Sequence, residues 1–166
     1  MTNFGVHGPF EIPVYQGSAA RTVTGDQSAE FWAEHSAHAR KRGCYVFGIR
    51  SGGGVTPLYV GKATKGFKQE VFQPHKLTKY QQGLADYVKG TPVLLFITPA
   101  PSKGATNAKA IGELETFLIQ TAIAKNPDLL NVKGTKSADW AITGVLRSGR
   151  GKPSKAARTL KQALGL

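Results

Sequence analysis

The sequence predicts one domain that mixes strands with helices, and three features carry that prediction. The chain has 166 residues, 40% of them apolar, enough to bury a core within one unit. Residues 44–60 read as a β-hairpin, and residues 108–125 keep a helical pattern ended by Asn126-Pro127. No internal repeat or linker-like stretch interrupts the chain. Residues 1–166 are therefore expected to form a single domain, divided into an N-terminal arm and helix (1–42), a core (43–133) and a basic C-terminal extension (134–166).

Taken in order, residues 1–27 are rich in Gly, Pro and Thr and suggest an arm with one short strand around Phe10-Glu11-Ile12-Pro13-Val14-Tyr15. Ser28 is the expected N-cap of an amphipathic helix running to Arg40 and stopped by Gly43. His35 and His38 lie one helical turn apart, but with no carboxylate or cysteine nearby they read as a solvated face rather than a metal site. Tyr45, Phe47 and Ile49 alternate with Cys44, Val46 and Gly48, Ser51-Gly52-Gly53-Gly54 turns the chain, and Leu58-Tyr59-Val60 returns. Those glycines lack the following Gly-Lys-Ser/Thr of a phosphate loop.

After Gly61 comes a basic stretch, Lys62, Lys65, Lys68, Lys76 and Lys79, interleaved with Phe67, Phe72, His75 and Tyr80, read as a short helix and an irregular segment broken at Pro74. Residues 92–97 (PVLLFI) form an unbroken apolar run, the mark of a strand covered on both faces and hence central in its sheet. From Trp140 onward Arg147, Arg150, Lys152, Lys155, Arg158 and Lys161 meet no acid, and Ser154 is expected to cap a final basic helix through Leu164.

Charge sets the partner class. There are 22 Lys and Arg against 10 Asp and Glu, a net +12 on a chain apolar enough to fold. Such an excess suits a polyanion, nucleic acid first, because Lys and Arg bind by neutralising phosphates. The lone Cys44 cannot close an internal disulfide, and four histidines with one cysteine provide no zinc framework. Without an apolar run of membrane-spanning length or a leader-like N-terminus, a cytoplasmic protein with no membrane partner is expected.

One carboxylate stands out on the helix at 108–125. At about 100° per residue, Ile111, Leu114, Leu118 and Ala122 share a face, and Glu115 falls among Ile111, Leu118, Ile119 and Ala122 rather than with Glu113 on the watery side. An inward carboxylate needs either a lysine or arginine partner or a divalent cation. Both explanations stand on the sequence.

The hairpin and this carboxylate together resemble the GIY-YIG nuclease family. The resemblance rests on Gly43-Cys44-Tyr45, then Tyr59-Val60-Gly61 with 13 residues between the tyrosines, Gly61-Lys62-Ala63, Glu115 followed by Leu118-Ile119, and Leu129-Leu130-Asn131. It spans about residues 43–133. It implies an α+β fold with a three-stranded antiparallel sheet flanked by helices. It also implies metal-dependent endonuclease cleavage of DNA, with RNA the alternative partner and one Mg²⁺ or Mn²⁺ held by Glu115, since hard cations prefer oxygen ligands.

On the same resemblance Tyr45 is the general base for the attacking water and Tyr59 its partner, although sheet packing alone accounts for two tyrosines so spaced. Lys62, Lys65, Lys79 and Asn131 would contact nucleic acid, together with Arg147, Arg150 and Lys152 of the tail. The family's helix arginine is missing, and Gln69 or Glu70 stands in its place. Lys68 or Lys76 could supply that charge and His75 a proton, giving either a divergent nuclease or a module that binds nucleic acid without cutting it.

Overall fold

The computed structural model describes residues 2–101, 107–134, 142–145 and 152–165. The chain forms two compact units, Met1–Thr135 and Lys136–Leu166. The first is an α+β unit built on a four-stranded antiparallel sheet, not the three-stranded one expected. Among the described residues no helix is long and apolar enough to cross a membrane.

The fourth strand comes from the segment read as an arm. Strand β1 (Phe4–Glu11) pairs along β6 (Thr91–Pro99), with a register shift between His7 and Phe10. Its alternation is hidden in the sequence because β1 is an edge strand, mostly exposed and interrupted by Gly8-Pro9. Strands β2 (Tyr15–Gln16) and β3 (Arg21–Thr22) make a separate small ribbon. Arg21 fastens it to the rest by donating to the carbonyls of Tyr87 and Gly90, each at 2.6 Å.

Helix α1 (Gly25–Glu34) begins earlier than Ser28, because the Thr24…Gln27 spacing makes a capping box, with the Thr24 N–H donating to Gln27 Oε1 at 3.1 Å. A 3₁₀ turn (Ser36–His38) follows, so the helix does not continue to Arg40. The hairpin is β4 (Gly43–Ser51) and β5 (Gly54–Ala63), and the sheet order is β1-β6-β4-β5. The apolar run at 92–97 therefore lies in the sheet interior, as its composition requires. Helix α2 (Phe67–Glu70) is short, and Pro74 opens helix α3 (Pro74–Asp86) instead of breaking it, since proline fits the first helical turn, where its missing N–H has no partner to lose. Helix α4 (Ala108–Lys125) is capped by Asn107, whose Oδ1 accepts from the Ala110 N–H at 3.0 Å.

The sheet separates two cores. One face carries Tyr45, Phe47, Leu94 and Phe96 against Phe31 and Trp32 of α1, Phe67 of α2 and Tyr80 of α3. Its aromatic rings stack closely, Phe67 on Phe96 at 4.3 Å and Phe47 on Tyr80 at 4.2 Å between centroids. The other face packs Cys44, Val60 and Ile97 against Ile111, Ile119 and Ala122 of α4. In the second unit, Ser154 Oγ accepts from the Ala157 N–H at 3.1 Å and caps helix α5 (Lys155–Ala163), the expected basic C-terminal helix.

Candidate functional site

Strand β5 is an edge, so its outer N–H and C=O groups need partners. The segment after α4 supplies them: Leu130 N–H donates to Leu58 O, Asn126 Nδ2 to Pro57 O, and Asn131 bonds both ways to Val60, accepting its N–H at 2.8 Å and donating to its carbonyl at 2.7 Å. Asn131 thus acts as a length of strand made from a side chain, with Val60 engaging one lone pair of Oδ1 and one hydrogen of Nδ2.

This clasp sets the residues beyond it against β5 and opens a cleft of about 550 Å³. Tyr59, Lys62, His75, Lys79, Glu115 and Asn131 line it. Tyr59 and Lys62 point to opposite faces of β5, as their odd spacing demands, and meet around the strand edge. Six residues singled out from sequence therefore converge. Thr116 and Lys133 also line the cleft; Lys133 is the cation that sequence reading passed over, although it stands two residues after Asn131.

Glu115 is half-buried and pairs with Lys62, Nζ to Oε2 at 2.8 Å. Of the two explanations for its inward position, the ion pair is the contact present in the protein alone. The Glu115 carboxylate raises the Lys62 pKa by hydrogen bond and by charge, keeping that ammonium protonated. Among the described residues no three His, Cys, Asp or Glu side chains gather as a metal-ligand group, so Glu115 offers one carboxylate, with Oε1 outside the pair.

The tyrosines sit at different depths. Their ring centroids are 6.2 Å apart, but Tyr45 is wholly buried while Tyr59 reaches the cleft. Among the described residues the Tyr45 hydroxyl has no hydrogen-bond partner, and burial, with the Tyr80 and Tyr59 phenols beside it, pushes its pKa far up. Burial and then the Glu115 charge raise that of Tyr59. Neither phenol is prepared as a base by the protein alone.

The glycines of the two motifs have steric reasons. Gly43 takes φ +151°, and a Cβ there would strike the Ile97 carbonyl. Gly61 lies opposite Tyr45 in the hairpin, and a Cβ there would overlap the phenol ring.

Glu70, at the position of the expected arginine, closes a turn. Its Oε1 accepts from the N–H groups of Thr64 at 2.7 Å and Lys65 at 2.8 Å. Although burial opposes it, these bonds, aided by Lys76, hold its carboxyl below the ordinary value. Lys76 is buried, its Nζ 5.3 Å from the Tyr45 ring centroid, and burial lowers its pKa against the pull of Glu70 and Glu115. Lys79 donates to the Leu130 carbonyl at 2.7 Å and lies over Tyr59.

Other expected residues fall elsewhere. Lys65 and Lys68 line a separate hollow with Arg40. Lys152 precedes α5 in the second unit and is exposed, whereas Arg147 and Arg150 lie outside the described residues. The cleft thus combines one carboxylate, three lysines, an exposed imidazole and a phenol, a set able to attract a phosphodiester and to orient water beside it. No family model, no curated protein and no solved structure matches this chain.

Proposed function

We propose that this chain is a metal-dependent endonuclease acting on DNA, organised like the GIY-YIG nucleases but with lysine where they use arginine. The observation that carries the reading is the convergence of Tyr59, Lys62, His75, Lys79 and Glu115 on one cleft. The order of elements supports it as well: a Gly-x-Tyr strand, a Tyr-x-Gly strand, helices, a third strand, then a helix bearing Glu115.

In this reading the free oxygen of Glu115 and the open cleft suit Mg²⁺ or Mn²⁺, which needs few protein ligands when water and phosphate complete its shell. Bound there, the cation would neutralise charge developing on the phosphate and the leaving oxygen. Lys62 and Lys79 attract the phosphodiester, Lys62 exchanging its carboxylate partner for phosphate. Buried Lys76, behind Tyr45, is the cation nearest the role of the missing guanidinium, with Glu70 and Glu115 favouring its charge and burial opposing it. Tyr59 orients the attacking water, whose proton passes to solvent through the open cleft as the new P–O bond forms. Exposed His75 at the rim, protonated from solvent, gives a proton to the leaving alkoxide as the old P–O bond breaks, and Tyr45 packs beneath Tyr59.

A second reading, a module that binds nucleic acid without cutting it, is favoured by two observations: Glu70 is tied into a turn at the arginine position, and the Tyr45 hydroxyl is sealed from the cleft.

Incubation with supercoiled plasmid and single-stranded DNA, with Mg²⁺, Mn²⁺ or EDTA, separates the two. The nuclease reading expects metal-dependent nicking that Glu115→Ala reduces by about 100-fold or more. The same variant should keep its stability within about 1 kcal/mol, because a partly exposed ion pair contributes little. Salt-sensitive binding with no nicking by either protein overturns the nuclease and leaves the binding module. Absence of both overturns the two together.

A further inference from the structure

Outside the cleft the molecule carries a second concentration of charge at the end of the sheet where β4 begins and β5 ends. Arg40, Lys41 and Arg42 lead into β4, and Lys65 and Lys68 follow β5; all five are exposed. Among the described residues none of these side chains forms an ion pair or hydrogen bond. Glu70, the acid nearest in sequence to Lys65 and Lys68, turns its carboxylate to the Thr64 and Lys65 backbone.

The two segments form one support. Phe67 N–H donates to Lys41 O at 3.0 Å and Lys68 N–H to Ala39 O at 2.9 Å, so the loop before β4 is bonded to the start of α2. Arg40 borders two hollows, one of about 520 Å³ shared with Lys65 and Lys68 and one of about 730 Å³ shared with Lys41, Arg42 and His7. Five like charges on a hydrogen-bonded frame repel one another, and a polyanion that follows the frame relieves the repulsion without first ordering it.

The distance to the cleft fits a nucleic-acid strand. Lys62 lines the cleft and Lys65 lines the nearer hollow, three residues on. That is at most about 11 Å of chain, comparable with the axial rise of three base-pair steps of a duplex at about 3.4 Å each.

We infer that Arg40, Lys41, Arg42, Lys65 and Lys68 form a second phosphate-binding surface, which holds the DNA backbone flanking the segment in the cleft. The inference deepens the nuclease reading by assigning the flank of its substrate. It is nevertheless testable by binding alone.

Fluorescence anisotropy with a labelled DNA duplex, in EDTA and over 50 to 200 mM KCl, gives the affinity and its salt slope for the full chain. Each lost phosphate contact lowers the slope by about 0.9. The variant Arg40→Gln/Lys41→Gln/Arg42→Gln should therefore lose about 2 to 3 from the slope and bind at least 10-fold more weakly near 150 mM salt. Lys65→Gln/Lys68→Gln should lose between about 1 and 2. A control with the same loss of charge elsewhere, Lys89→Gln/Lys109→Gln/Lys125→Gln, should keep the wild-type slope.

If both surface variants behave like the control while the wild type binds and nicks, this inference falls and the nuclease reading stands. If the slopes drop as expected but the wild type never nicks, the surface stands and the nuclease reading falls. A wild type that binds no DNA at any salt overturns both.

Discussion

Tyr45 illustrates how a single side chain can be held by sterics and still lack a polar partner. Its ring lies against the Cα of Gly61, a position open only because that residue has no Cβ. Among the described residues its buried hydroxyl makes no well-aligned hydrogen bond, although the Tyr59 and Tyr80 hydroxyls lie beside it. A buried hydroxyl without a partner is destabilising by roughly 1–3 kcal/mol. Tyr45→Phe is therefore expected to keep or raise stability, by on the order of 1 kcal/mol, measured as a urea midpoint. If Tyr45 also serves the reaction, nicking should fall in the same variant; unchanged nicking would leave it a packing residue. Cys44 is settled more simply, as burial and the Glu115 charge push its thiol up to about 12, which keeps it inert near neutral pH.

Among the elements, the edge strand β5 decides where the site lies. A bare edge exposes backbone groups that invite pairing with another chain, and here the 126–131 segment occupies it through Asn126, Leu130 and Asn131. Replacing Asn131 by alanine leaves the Val60 N–H and carbonyl without either bond, so Asn131→Ala should lose about 1–3 kcal/mol in a denaturation curve. The Leu130 carbonyl that anchors Lys79 belongs to the same segment, so the variant should also weaken DNA binding at the cleft. Full stability together with full binding would show that the clasp is dispensable.

Over the whole molecule, two buried or bonded groups make stability depend on acid. Burial, and then the Lys41, His7 and His35 charges, lower the His38 pKa below its ordinary 6.5. The unfolded chain therefore takes up a proton first, so the His38 contribution is present above pH 6.5 and declines as pH falls from there through the lowered folded value. Glu70 behaves likewise at lower pH, its contribution being lost as pH falls below 4.5 through its own depressed value. Urea midpoints at pH 7.5 and 5.5 should accordingly drop for the wild type and drop less for His38→Gln. An equal drop in both proteins would assign the acid sensitivity elsewhere.

The hairpin, the interior strand, α4 and the basic final helix were legible in the sequence, because periodicity, capping residues and breakers are local properties and burial reinforces them. Glu115 was legible as an inward carboxylate for the same reason. What covers an edge, what pairs with a charge and how deep a ring sits depend on residues far apart in the chain. Tertiary structure alone therefore made β1 a fourth strand, turned Asn131 into the clasp of β5, gave Glu115 to Lys62 and sealed Tyr45 beneath the cleft.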